Sequence, residues 1–120
     1  MNAAASAPER SHVTTHVLDS TIGLPAAGVP VRLEHDEVGN WVMIASATTD
    51  ADGRVSTLGP TQLPVGRYRV SFDTAVYFAE QEVKAFYPEV QIIFELGDAA
   101  AHYHVPLLLS PFAYSTYRGS

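Results

Sequence analysis

The residues best suited to chemistry fall in three short segments. His102 and His104 stand two apart in HYHVPLLL, His16 sits in THVLD, and Arg54 follows the pair Asp52-Gly53. The sequence closes on Tyr117-Arg118-Gly119-Ser120. An imidazole titrates near neutrality and can take or give a proton there. A guanidinium stays charged and offers a fork of donors that matches a planar, oxygen-rich molecule. With no cysteine in the chain, thiol nucleophiles, disulfides and thiolate metal sites are excluded. Residues two apart on a strand share a face, so His102 and His104 have the spacing of a metal pair. The motif supplies neither cysteine nor an acidic neighbour to complete a ligand set, so no metal and no cofactor is expected. Each group also has a plainer reading. Arg54 after a turn is an ordinary solvated arginine, Tyr114 and Tyr117 are ordinary strand aromatics, and His102 is a hydrogen-bonding partner for a turn. His12 and His35 read as surface residues.

Strands must position these groups, because the dominant rhythm is alternation. Val13, Thr15 and Val17 share one parity, and His12, Thr14, His16 and Leu18 share the other. Similar runs occur at Val29–Leu33, Trp41–Ala47, Tyr68–Phe72 and Val90–Leu96, then at about 101–109 and 112–119. Gly23 with Pro25, Gly39-Asn40, Asp52-Gly53, Pro64 with Gly66, and Gly97-Asp98 punctuate them as turns. A short strand after Gly53 brings the expected number to about eight. One stretch departs from alternation: Ala75, Val76, Ala79 and Val83 recur at helical spacing, with Asp73 or Thr74 as cap and Pro88 as stop. The expected fold class is all-β, a two-sheet sandwich with one short helix.

In the run 101–109, Tyr103, Val105, Leu107 and Leu109 are expected to point into the sandwich. His102, His104, Pro106 and Leu108 then face outward. Pro106 and Leu108, with Leu18 on the first strand, would form an exposed apolar face, and such faces are usually covered by a partner. A subunit interface is therefore expected there, with the histidines in it or at its edge.

Composition narrows the partners. A chain of 120 residues, 47% hydrophobic and 17% charged, suits one globular domain. Its net charge of -6 argues against a nucleic-acid partner and against an anionic membrane surface. The longest apolar run, Val105 to Leu109, is far too short to span a bilayer. The opening MNAAASAPERS has no basic start and no long apolar stretch, so it does not read as a secretory signal. Residues 1–11 are expected to form a flexible tail and 12–120 the folded domain. A cytoplasmic location is expected.

THVLD (15–19 with its threonine), DADGRV (50–55) and HYHVPLLLSPFAYSTYRGS (102–120) together resemble the 5-hydroxyisourate hydrolases, the transthyretin-related enzymes of purine breakdown. The terminal YRGS is that family's hallmark, and the resemblance runs from about Ser11 to Ser120. It implies an eight-stranded transthyretin-like (prealbumin-like) sandwich, and a homotetramer, a dimer of dimers, with sites at the subunit interface. It also implies hydrolysis of 5-hydroxyisourate to 2-oxo-4-hydroxy-4-carboxy-5-ureidoimidazoline in urate degradation. On that reading His16, Arg54, His104 and Ser120 are the catalytic residues, and His16, Arg54 and Tyr117 bind substrate. His104 or His16 is the base that activates water, the other positions it or serves the leaving group, and Arg54 holds developing charge. The rival reading is a non-catalytic, transthyretin-like small-ligand binding protein. Transthyretin lacks both histidines and the arginine at the matching positions, and its chain runs past the YRGS position.

Overall fold

The computed structural model describes residues 10–120. The alternating runs form nine strands, and a single α-helix is present among the described residues. In chain order they are β1 (Val13–Asp19), β2 (Leu24–Pro25), β3 (Pro30–Glu37), β4 (Asn40–Thr48), β5 (Arg54–Val55), β6 (Gly66–Phe72), α1 (Thr74–Glu80), β7 (Val90–Leu96), β8 (Tyr103–Leu109) and β9 (Tyr114–Thr116). One sheet runs β2-β1-β8-β9, with β5 also paired to β1; the other runs β4-β3-β6-β7. This is the expected sandwich; the ninth strand is the two-residue β2, which adds Leu24 and Pro25 to the edge of β1. Val13, Val17, Leu107 and Leu109 from one sheet and Leu33, Tyr68, Val70 and Phe72 from the other are fully or almost fully buried. Each such side chain contributes roughly 1.5–3 kcal/mol of burial. Among the described residues no helix is long and apolar enough to cross a membrane.

β1 and β8 run parallel, whereas every other strand pair is antiparallel. A parallel pair needs a crossover connection, and here everything from β2 to β7 lies between the partners in sequence. The register sets Thr14 beside His104 and His16 beside Pro106. Side chains of paired residues emerge on the same face, so these four share the outward face of the sheet.

Local sequence misjudged several positions. A bulge between Leu33 and Glu34 shifts the β3–β4 register. Ala45 and Ala47 therefore pack against the core while Met43 is exposed, and Trp41 lies under the Arg69 guanidinium. In α1 the buried residues are Thr74, Tyr77 and Phe78, not the small apolar set expected, and Val83 lies beyond the helix end. Asp73 occupies the cap position without a side-chain cap bond; Thr74 instead donates its hydroxyl proton to the Tyr87 carbonyl. Tyr77 fastens the helix to β1 through a hydrogen bond to buried Asp19 (2.8 Å). Pro106 is buried within the single chain, and Leu18 and Leu108 are half-buried. The outward apolar face is thus smaller than the strand pattern implied, because the closing segment leans on the Pro106 ring.

His12 and His35 are not surface residues. His35 is partly buried and stacks on Tyr68 at 4.4 Å. His12 is 5% exposed. Its Nδ1 accepts the Leu63 amide proton (2.9 Å), which leaves Nε2 to donate to the Ala101 carbonyl (2.7 Å). Ser11, expected at the end of the tail, is buried and accepts the Leu58 amide proton on its hydroxyl. Residues 1–9 of that expected tail lie outside the described residues. His12→Leu leaves two buried backbone groups unpaired, at about 1–3 kcal/mol each. A fall in unfolding free energy of about 2 kcal/mol or more in urea is expected; an unchanged midpoint would show that His12 is not the tie between the 61–63 and 99–101 loops.

Candidate functional site

Arg54 is positioned by the turn before it. Asp50 accepts the Asp52 and Arg54 amide protons on Oδ1 at 2.9 and 3.0 Å, and its carbonyl accepts the Gly53 amide proton at 2.9 Å. Gly53 has φ +73°, and a Cβ there would lie 2.4 Å from the Val17 carbonyl oxygen, so only glycine fits. The Val17 amide then donates to the Gly53 carbonyl at 2.7 Å. These bonds dock the turn on β1 and place Arg54 opposite His16 in the β1–β5 register.

His104 is held from two sides. Thr14, 3% exposed, lies with its Oγ1 2.8 Å from His104 Nδ1 and 2.9 Å from His102 Nε2. His102 is thus bonded to a strand hydroxyl and not to a turn. From the far side the closing segment returns antiparallel to β8, and the Gly119 amide donates to the His104 carbonyl at 2.9 Å. A Cβ on Gly119 would fall 2.6 Å from His104 Cδ2, so the glycine is what allows the chain to lie against the imidazole. That leaves Nε2 as the ring nitrogen without a protein partner among the described residues.

The expected strand over 112–119 is interrupted for a local reason. β9 covers only Tyr114–Thr116, and pairing resumes as a single bridge between His104 and Gly119. Alternation of hydrogen-bonded pairs calls for the next one at Pro106 and Tyr117, and proline has no amide proton to give. Thr116 compensates by donating its hydroxyl proton to the Pro106 carbonyl (2.7 Å). Arg118 turns to the inner side, with its guanidinium 4.3 Å from the Tyr103 ring centre and a donor 3.3 Å from the His102 carbonyl.

A cavity of about 160 Å³ is lined by Arg10, Thr14, Thr15, Arg54, Val55, Ser56, His104 and Ser120. The structure therefore brings Arg54, His104 and Ser120 together. His16 is half-buried next to Arg54 but does not line this cavity. Tyr117 is exposed and lines a different space of about 270 Å³, mostly apolar, with Ile92, Phe94, Tyr103 and Val105; His104 borders both spaces. Sequence reasoning passed over two residues here. Thr14 looked like one more member of an alternating strand, and Arg10 lay in the stretch read as tail. For Arg10, its charge three residues before the first strand was the available signal; for Thr14 nothing local set it apart.

The electrostatics favour a neutral imidazole. Burial is the main influence pushing His104 below the ordinary histidine value; Arg54 is next, followed by His102, His16 and Arg10. His102 is lowered as well, first by burial, then by Arg10 and His12. The influence of Arg54 thus ranks second to desolvation. Around one cavity, then, stand a neutral base with a free Nε2, a guanidinium, and a serine at the chain's last position. Such a set can activate water beside a planar, oxygen-bearing molecule.

Comparison with known proteins agrees with the architecture. Residues 13–119 match the model of the HIUase/Transthyretin family. The chain is 44% identical to the 5-hydroxyisourate hydrolase of Mus musculus, over 95% of this chain and 99% of that protein. Among solved structures, the 5-hydroxyisourate hydrolase of Klebsiella pneumoniae superposes with a TM-score of 0.81 at 38% identity, covering 90% of this chain and 98% of that one. Transthyretin from Sparus aurata superposes with a TM-score of 0.85 at 34% identity, covering 92% and 97%.

With its pKa lowered, His104 stays unprotonated at acidities where an ordinary imidazole charges. Proton NMR of its C2–H across pH is expected to give a midpoint below about 6.5; a midpoint at or above that value would mean that burial and Arg54 do not govern this ring.

Proposed function

Because the chain belongs to the HIUase/Transthyretin family, we propose that it acts on 5-hydroxyisourate in urate degradation, opening the substrate ring with water. It is a hydrolase of the cyclic-amide type. The observation that carries this reading is the shared cavity of Arg54, His104 and Ser120, with His16 in register beside Arg54. The fold alone does not decide, since transthyretin shares it.

Ring opening requires a water oxygen to attack an amide carbonyl carbon. His104 Nε2 takes a proton from that water; its engaged Nδ1 and lowered pKa support it, over His16, as the base. Charge then develops on the carbonyl oxygen, where Arg54 stabilises it. Collapse of the tetrahedral adduct breaks the carbon–nitrogen bond, and the leaving nitrogen takes a proton from His104 or from His16. One water is consumed: its hydroxyl ends on carbon and its proton on nitrogen. The product is 2-oxo-4-hydroxy-4-carboxy-5-ureidoimidazoline. Ser120, on the same cavity, orients the water through its hydroxyl.

The groove is open on the outward face of the sheet, where His16, Leu18 and Leu108 are half-buried. Apposition of two such faces in a homotetramer, a dimer of dimers, closes it. Tyr117, exposed on the closing segment next to His104, then offers its ring to the flat substrate.

The test is direct. 5-Hydroxyisourate generated with urate oxidase is followed by its ultraviolet decay with and without the protein. Acceleration is expected, falling about 10²–10³-fold in Arg54→Ala and about 10²–10⁴-fold in His104→Asn, with His16→Asn also impaired. If both histidine variants turn over at the wild-type rate, the assignment is wrong; if the wild type gives no acceleration, the protein is a binder in the manner of transthyretin.

A further inference from the structure

Between His104 and His102, at the wall of the cavity formed by Thr14, lies a polar arrangement that the hydrolysis as written does not use. Thr14 is buried on the outward face of β1, directly beside His104 in the parallel register. Its single hydroxyl sits between two imidazole nitrogens, 2.8 Å from His104 Nδ1 and 2.9 Å from His102 Nε2. A hydroxyl carries one proton, so it donates to one of these nitrogens and accepts from the other. Only two arrangements satisfy all three groups. In the first, His104 Nδ1–H donates to Thr14 and Thr14 donates to His102 Nε2, which leaves His104 Nε2 bare. In the second every bond is reversed, and His104 carries its proton on Nε2.

We propose that Thr14 is a positioning residue for the hydrolysis: it sets the tautomer of His104 and relays the proton taken from water to His102, two residues away on the same face. This inference rests on the reading of His104 as the base. The steps balance. His104 Nε2 takes the water proton; the Nδ1 proton passes to the Thr14 oxygen as the Thr14 proton passes to His102 Nε2. His104 is then neutral with a proton on Nε2, ready for the leaving nitrogen, and the positive charge is on His102. Release of the His102 Nδ1 proton leaves the second arrangement. When His104 protonates the leaving nitrogen, the bonds reverse and His102 regains a proton at Nδ1, restoring the first.

The surroundings favour this direction. His102 lines a separate cavity of about 290 Å³ with Arg10, His12, Thr61 and Gln62; Arg10, Thr61 and Gln62 are exposed, so that space is open to solvent. The titratable and charged groups that act on His104 are Arg54, His102, His16 and Arg10, and those on His102 are Arg10 and His12. Among them no carboxylate holds a proton on either ring. A charge at His104 is opposed by Arg54 and one at His102 by Arg10; what distinguishes His102 is the open cavity beside it, through which its proton can leave to solvent.

The experiment compares the full-length protein with Thr14→Val, Thr14→Ser and His102→Asn. Turnover of enzymatically generated 5-hydroxyisourate is measured across pH, and the tautomer of His104 is read from its imidazole nitrogen-15 shifts. In the wild type His104 is expected as the Nδ1–H tautomer. Thr14→Val removes the hydroxyl at constant shape; it is expected to lower kcat about tenfold or more with KM little changed, and to move the His104 proton toward Nε2. Thr14→Ser restores both, and His102→Asn lowers kcat while displacing the acid limb of the pH profile. Wild-type kcat and tautomer in Thr14→Val, equal impairment in Thr14→Ser, or wild-type turnover in His102→Asn would each overturn the proposal. Should Thr14→Val not fold, His102→Asn and the wild-type tautomer decide alone. A wild type without hydrolysis would overturn the proposed reaction, and the nitrogen shifts would still report whether Thr14 sets the tautomer.

Discussion

The parallel pairing of β1 with β8 is the constraint on which the site depends. It alone puts Thr14 next to His104 and His16 next to Pro106. The other edge of β1 receives β5, bringing Arg54 to His16, and the other edge of β8 receives the closing segment, bringing Gly119 to His104. A shift of one residue in the central pair would send the imidazole into the core and break all three relations at once. Six strands and the helix lie between the partners in sequence, so the site joins residues about 90 positions apart. The buried Val13, Val17, Leu107 and Leu109 hold that register from the core side.

Much of the architecture was legible in the sequence because burial on one face writes itself as alternation. The faces of β3, β6, β7 and β8 follow from period-two spacing, and Asp52-Gly53 marks a turn whose glycine has no substitute. Alternation fails where the partner strand decides. The bulge at Leu33 and Glu34 moves Met43 to the surface, and nothing in the run Trp41–Ala47 announces it. Tyr77 and Phe78 are buried in α1 because of what lies beneath the helix, and the small residues beside them are not. His12 was misjudged for the same reason: its partners are backbone groups at Leu63 and Ala101, remote in sequence.

The gathering of Arg54, His104 and Ser120 is a different case. Spacing alone left Arg54 an ordinary solvated turn arginine and gave nothing that joined it to His104 or Ser120. The resemblance in three ordered motifs made them a set, and the described cavity contains these three, with His16 beside Arg54 and Tyr117 on the apolar space beyond His104. Thr14 and Arg10 had no motif to mark them. Thr14 acquires its meaning only when β8 is laid beside β1, and Arg10 when the segment before β1 is anchored through buried Ser11. A sandwich of this kind supports binding and catalysis alike, so the distinction lies in the polar groove around His104 as against the apolar space around Phe94 and Tyr103.

A crystal structure of the protein with a stable, planar analogue of the substrate tests that distinction most directly. The account predicts the ring in the groove, its oxygens within hydrogen-bonding distance of the Arg54 guanidinium and an ordered water on His104 Nε2. An analogue lodged in the apolar space beside Ile92, Phe94 and Tyr103, with Arg54 and Ser120 untouched, would contradict it.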